Sequence, residues 1–277
     1  MIKLQCQFFK FLVVFSLLAF TCKQDNNEKV IKNTYAVVIG IADYKYENTA
    51  KDLKWTVNDA EKFVSFLKSE KGGKVPVGNI YVLKNETARK ANIIKYAKQL
   101  FERAQEGDRV IFFWSGHGTQ GAFVPHDGLY NPETGKAYNL LYFSDLKDII
   151  KSAKCQVKLI FADACHSGAL KQNTPKDIKS QSRSLNQNST KINDVEVAVM
   201  VAARANEYSL EYNQLKQGVF SYFLIEGLQG KADLNLDKRI TIKELHDFVF
   251  KEVKSYNPKQ TPNTFGKFNK NMVVSNL

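Results

Sequence analysis

Arg109-Val-Ile-Phe-Phe-Trp-Ser-Gly-His-Gly118 is the stretch on which the reading of this chain turns. Gly107-Asp108 breaks whatever precedes it, and the apolar run that follows is short and continuous. Such a run fits a strand buried on both faces, because a half-exposed strand would alternate apolar and polar residues. The strand then empties directly into Ser115-Gly116-His117-Gly118, a polar sequence with glycine on each side of a histidine. The flanking glycines are expected to permit a sharp turn and a close approach of a substrate backbone.

The pattern repeats on both sides. Upstream, Ile93, Ala97, Leu100, Phe101 and Ala104 mark an amphipathic helix, preceded by a strand at Ile80-Tyr-Val-Leu83. Before that strand, Ala60, Phe63, Val64 and Leu67 at i, i+3, i+4 and i+7 mark another helix. The continuous run Tyr35-Ala-Val-Val-Ile-Gly-Ile41 predicts the first strand. Downstream, residues 146–150 read as helix, Val157-Lys-Leu-Ile-Phe-Ala162 as a fourth strand and Val197-Ala-Val-Met-Val201 as a fifth. Strands joined through helices imply right-handed crossovers and a mostly parallel sheet with helices on both faces. Ligands then gather beyond the carboxyl ends of the strands. One globular domain is expected from residue 35 to residue 277.

The fourth strand ends as pointedly as the third, in Asp163-Ala-Cys165-His-Ser-Gly168. A histidine and a cysteine 48 positions apart therefore belong to one sheet edge. A thiol needs a neighbouring base to become the reactive thiolate, and an imidazole across a crevice supplies one. The remaining histidines, His126, His166 and His246, carry ordinary polar readings. Cys155 and Cys165 sit at opposite ends of one strand, about 30 Å apart if extended, beyond disulfide reach.

These motifs resemble the caspase and metacaspase superfamily of cysteine peptidases, in its bacterial metacaspase-like branch. The segment Asp163–Gly168 is similar to the metacaspase D-x-C-H-S-G motif. The histidine-to-cysteine spacing fits that of caspases, and Asn58-Asp59-Ala60 resembles the family's N-D-A segment. The resemblance implies a three-layer α/β/α caspase-like fold. It also implies that Cys165 is the nucleophile, that His117 is the general acid and base, and that the amides of Gly118 and Cys165 form an oxyanion hole. Cleavage after Arg or Lys is implied, with Asp163, Asp59 and Ser115 lining the pocket for the basic side chain; the alternative is a catalytically idle caspase-fold binding or scaffold protein, against which the intact Cys165 and His117 argue. For Asp59 a second reading stays open, a first-turn aspartate favoured by the helix dipole. Trp55-Thr56 stands where metacaspases usually carry Gly-Cys, which alters the pocket wall.

Three further features complete the expectation. Lys3 and Lys10 precede the ten-residue apolar run Phe11–Phe20, too short to span a bilayer and of signal-peptide length. The boundary at Thr21-Cys22 resembles a bacterial lipoprotein lipidation site. The expected protein is exported and membrane-anchored through Cys22, with a polar tether over 22–34; the alternative is a signal cut nearby with Cys22 unmodified. The polar segment 171–193 carries Lys171, Lys176, Lys179, Arg183 and Lys191, the candidate sites of self-cleavage in a processing loop. Asp233, Asn235, Asp237 and Glu244 follow calcium-loop spacing, although Lys238 occupies the position of the usual glycine. Thr241 and Glu244 also form a capping box, which employs Glu244 without metal. Calcium is a candidate ligand, and the peptidase chemistry requires no cofactor.

The composition fits this picture. The chain has 277 residues, four cysteines and a formal charge of +12. Wholesale disorder, a coiled coil and a disulfide scaffold are thereby excluded. Loss of residues 1–21 would lower the charge only to +10. Lys and Arg are scattered, with no basic helix or aromatic platform, so nucleic acid is not an expected partner. The expected partners are protein or peptide substrates and, through the anchor, a membrane; the expected state is a monomer.

Overall fold

Continuous apolar runs become the middle of a six-stranded sheet. The computed structural model describes residues 31–119, 121–164, 196–203, 207 and 209–277. Within them the sheet contains β1 (Thr34–Gly40), β2 (Ile80–Lys84), β3 (Arg109–Ser115), β4 (Val157–Asp163), β5 (Ala198–Val201) and β6 (Asn263–Phe265). The spatial order is β6-β5-β4-β3-β1-β2, and every pairing is parallel except that of β6 with β5. All seven residues of β1 and all seven of β3 are buried, as expected for strands covered on both faces.

Alternation along the strands divides the core in two. Val37, Ile39, Phe112, Trp114 and Ile160 point to one face, beneath α2 (Lys90–Phe101) and α3 (Phe143–Lys151). Val38, Ile111, Phe113 and Phe161 point to the other. That face is covered by α1 (Thr56–Lys68), α4 (Val219–Glu226) and α5 (Ile242–Tyr256). Each amphipathic helix lays its apolar stripe on the sheet; Phe63 of α1, for instance, stacks on Phe113 with centroids 4.4 Å apart. The result is the expected three-layer α/β/α architecture.

Three parts of this arrangement were not anticipated. Helix α4 is apolar nearly all round and has no clear periodicity, because it is wedged between α1 and α5. Strand β6 is too short and too polar to be read as a strand by itself, and takes its structure from pairing with β5. Between β3 and α3 the chain builds short antiparallel hairpins, including Leu129–Asn131 paired with Lys136–Tyr138. Among the described residues no helix is long and apolar enough to cross a membrane.

Register fixes the sheet's carboxyl edge. Gly40 of β1 pairs with Ser115 of β3, and Ser115 in turn pairs with Asp163 of β4. The three strand ends thus form one row, and α1 must pack closely behind it. A Cβ on Gly40 would lie 2.5 Å from the carbonyl oxygen of Thr56 and 2.8 Å from Cβ of Ala60, backbone and core that cannot yield cheaply. Gly40→Ala is therefore expected to destabilise the fold by about 1–3 kcal/mol, measured by urea denaturation. An unchanged midpoint would show that α1 does not need this close approach.

Candidate active site

The row of strand ends meets the start of α1. Asp59 lies in the first turn of α1, but its side chain does not serve the helix end. It is 1% exposed and accepts hydrogen bonds from Ser115 Oγ at 2.7 Å and from the Gly218 amide at 2.9 Å. The carboxyl of Asp59 is thus turned towards the strand ends while its backbone stays in the first turn of α1. Asp163, at the end of β4, is 6% exposed. It accepts from the Ser221 amide at 3.0 Å, from Ser221 Oγ at 2.7 Å and from Ser209 Oγ. Asp59, Ser115 and Asp163 are thus brought together, and with Leu53, Thr56, Gly116, His117 and Ala164 they line one recess.

A hairpin closes this recess. Glu211–Tyr212 pairs with Gln217–Gly218, and the hairpin docks on the N-terminal end of α1. Glu211 accepts from the amides of Lys54, at 3.0 and 2.9 Å, and of Trp55, at 2.5 Å. Trp55 Nε1 and Lys54 Nζ both donate to Asn213 Oδ1, each at 3.1 Å, and Asn58 Nδ2 donates to the Lys216 carbonyl. The Trp55-Thr56 departure noted in the sequence therefore holds the hairpin through the indole. It also leaves the buried Thr56 hydroxyl lining the recess with no partner among the described residues. Gly218 is indispensable here. A Cβ at 218 would stand 2.2 Å from Asp163 Oδ2 and 3.2 Å from Asp59 Oδ2, so both carboxylates converge on the space that the glycine vacates.

Two buried carboxylates with no cation between them repel each other. Burial pushes the carboxyl of Asp59 well above its ordinary value, and the charge of Asp163 pushes it further. Asp163 is also raised by burial, against the pull of its Ser209 and Ser221 donors. Both carboxyls are therefore held above the ordinary carboxylate range, and their protons belong to the pair rather than to either residue.

His117 occupies the turn after β3. Its Nε2 lies 2.7 Å from the Lys51 carbonyl, which can only accept, so Nε2 carries the hydrogen and the neutral ring presents Nδ1 as its lone pair. Its own amide donates to the Tyr44 hydroxyl at 2.7 Å, and the two rings sit 5.0 Å apart. Burial lowers the ring's pKa, while the Lys51 carbonyl and the charges of Glu211 and Asp52 pull it back up. Neither Gly116 nor Gly118 has a left-handed φ. Gly116 is needed for space, since a Cβ there would lie 2.8 Å from the Tyr44 hydroxyl. Gly118 opens a two-residue strand paired with Phe123 across from Thr119–Ala122.

Ala164, which precedes Cys165, lines the same recess as His117. Cys165 itself lies outside the described residues, as do Cys22, His166, the expected signal segment and residues 171–193 with the candidate cleavage positions Lys171, Lys176, Lys179, Arg183 and Lys191. Elsewhere, His126 is buried against the Asp43 carbonyl, and His246 holds Thr264 Oγ1 at 2.8 Å. Cys155 is a buried thiol, raised by burial.

The calcium-spaced residues do not all converge. Asp233, Asn235 and Asp237 accept hydrogen bonds from their own loop's amides. Glu244 Oε2 instead receives the amide and hydroxyl of Thr241, at 2.9 and 2.8 Å, completing the capping box. Among the described residues no three His, Cys, Asp or Glu side chains are gathered for a metal.

Sequence reasoning missed Glu211, Ser209, Ser221 and Gly218. None sits in a motif: the folding of residues 209–218 onto α1 brings Ser209, Glu211 and Gly218 to the recess, and Ser221 reaches Asp163 from the first turn of α4.

Comparison with known proteins agrees with this geometry. The family model described as the caspase domain matches residues 33–273. A protein of a Desulfuromonadales bacterium, described as a probable protease, is 29% identical over 155 residues, covering 48% of this chain and 18% of the relative. Metacaspase-4 of Arabidopsis thaliana is 28% identical over 147 residues, covering 49% of this chain and 34% of the relative. Metacaspase-9 of the same plant is 27% identical over 156 residues, covering 52% and 46%. The chain thus spans less than half the length of these curated relatives. A Geobacter sulfurreducens protein of solved structure shares the fold at a TM-score of 0.62, with 17% identity and coverage of 86% of this chain and 94% of that one.

The carboxylate pair makes a stability prediction. A carboxyl raised in the folded state favours folding below its unfolded value, about pH 4, and that contribution is lost as pH rises through the folded value. Asp59→Asn removes the loss. The stability of the variant relative to wild type should therefore grow with pH, by on the order of 1 kcal/mol between about pH 5 and about pH 8. Urea melts across that range check it; parallel pH profiles would contradict the shared proton.

Proposed function

The chain belongs to the caspase-domain family, and from that premise we propose that it is a cysteine endopeptidase cutting after Arg or Lys. The observation that carries the specificity is the convergence of Asp59 and Asp163 on Gly218, with Glu211 at the same recess. A guanidinium or ammonium entering there finds two carboxylates already stripped of water, whereas an acidic side chain meets only repulsion. The unpartnered Thr56 hydroxyl offers a further acceptor to such a donor-rich group.

In the proposed reaction Nδ1 of His117 takes the proton of the Cys165 thiol, and the thiolate attacks the carbonyl carbon, forming a C–S bond while the C=O π pair moves onto oxygen as a tetrahedral oxyanion. The amides of Gly118 and Cys165 stabilise that charge. Collapse breaks the C–N bond, and His117 gives its proton to the departing amine. Water, deprotonated by the same imidazole, then hydrolyses the thioester and restores the thiol. The anchoring of Nε2 on the Lys51 carbonyl supports this role, because it fixes the ring and leaves Nδ1 for the proton transfer. Self-cleavage among Lys171, Lys176, Lys179, Arg183 and Lys191, export with a lipid anchor on Cys22, and calcium control belong to the same proposal.

Purified protein should hydrolyse a peptide reporter ending in Arg. Cys165→Ala should be inert, and His117→Ala should lose at least about 100-fold in kcat/KM. Replacing Arg by citrulline, its neutral isostere, should cost a further factor of ten or more if charge decides. Equal or faster cleavage after Asp would overturn the pocket assignment, and full activity of Cys165→Ala would overturn the chemistry. Intact-mass analysis of wild type and Cys165→Ala, each with and without calcium, reads self-cleavage and its metal dependence.

A further inference from the structure

At the sheet's opposite edge, where β1 and β3 begin, lies a cation with no counter-charge among the described residues. Arg109 is 7% exposed, yet its guanidinium binds only neutral oxygens. Nε and Nη2 donate to Thr34 Oγ1, at 3.2 and 2.9 Å, and Nη1 donates to the Val274 carbonyl. Among the described residues no carboxylate pairs with it. The adjacent Asp108 is occupied by the amide and side chain of Asn33, at 3.1 and 3.0 Å, and by the Gln105 amide at 2.9 Å. Burial alone pushes Arg109 down to about 10. An arginine has five N–H donors, so two remain beyond the three contacts.

A buried charge left unpaired is costly, and structures normally satisfy it. Here the guanidinium lines a recess of about 120 Å³. Lys32 and Lys71 line the same recess, together with Thr34 and Ser275, and no acidic residue does. Lys71 keeps one hydrogen bond, to the Gln229 carbonyl at 2.6 Å, and an ammonium has three donors. We propose that this recess is a binding site for a small tetrahedral oxyanion of the phosphate class, held by Arg109 and flanked by Lys32 and Lys71. Arginine's planar fork suits two oxygens of such an ion. The site is separated from the candidate active site by the length of β1 and β3, roughly 20 Å, and stands whether or not the peptidase reading does.

The test is calorimetric titration of the full chain with inorganic phosphate at low ionic strength, with sulfate, acetate and chloride as parallel arms. Saturable, one-to-one binding of phosphate is expected, with acetate and chloride at least about tenfold weaker. The double variant Lys32→Ala, Lys71→Ala should bind phosphate about tenfold more weakly or not at all. Arg109→Met should abolish binding; should it fail to fold, the exposed lysine variants and the anion series still decide. Absence of saturable binding by wild type, binding unaltered in the lysine variant, or acetate binding as tight as phosphate would each overturn the proposal.

Discussion

The register of three parallel strands is the constraint from which the candidate site follows. Because Gly40, Ser115 and Asp163 are paired neighbours, the turns after β1, β3 and β4 all leave the sheet at one level. A slip of one residue in β3 or β4 would send Ser115 or Asp163 to the opposite face. The register is in turn enforced by burial, since both faces of these strands are packed with aromatic and branched side chains that fit only one alternation. Core packing and site geometry are therefore one problem here.

On that frame the recess is assembled from parts that each serve two ends. The N-terminal turn of α1 supplies Asp59, and the amides of Lys54 and Trp55 just before it hold Glu211. The 209–218 hairpin covers the carboxylates and at the same time provides their donors, Ser209 and the Gly218 amide. Such a site is costly in the empty protein, because two desolvated carboxylates must share a proton. Under the proposed function, a basic side chain entering the recess would relieve that cost, and an acidic one would add to it.

Much of this was legible in the sequence, for identifiable reasons. Buried parallel strands announce themselves as apolar runs, and Tyr35–Ile41, Arg109–Trp114 and Val157–Ala162 all became strands of the central sheet. His117, Asp59, Ser115 and Asp163 lay at strand or helix ends, where the topology alone says that ligands gather. What stayed hidden depends on long-range docking. Glu211 lies more than 150 positions from the amides it binds, and nothing in Ser209-Leu-Glu211 marks that destination. The helix α4 lacks an exposed face and hence a period. The room that Gly116 leaves for the Tyr44 hydroxyl was equally hidden, because Tyr44 lies 72 positions away in the sequence.

In the proposed function one recess joins His117, the chain leading to Cys165 and an acidic pocket selective for basic side chains. The most direct measurement is covalent labelling by a thiol-reactive peptide ketone ending in Arg, with the modified residue located by mass spectrometry. The account predicts a single adduct on Cys165, lost in His117→Ala and formed at least about tenfold more slowly when citrulline replaces Arg. Labelling of another cysteine, or equal rates for the charged and neutral probes, would contradict it.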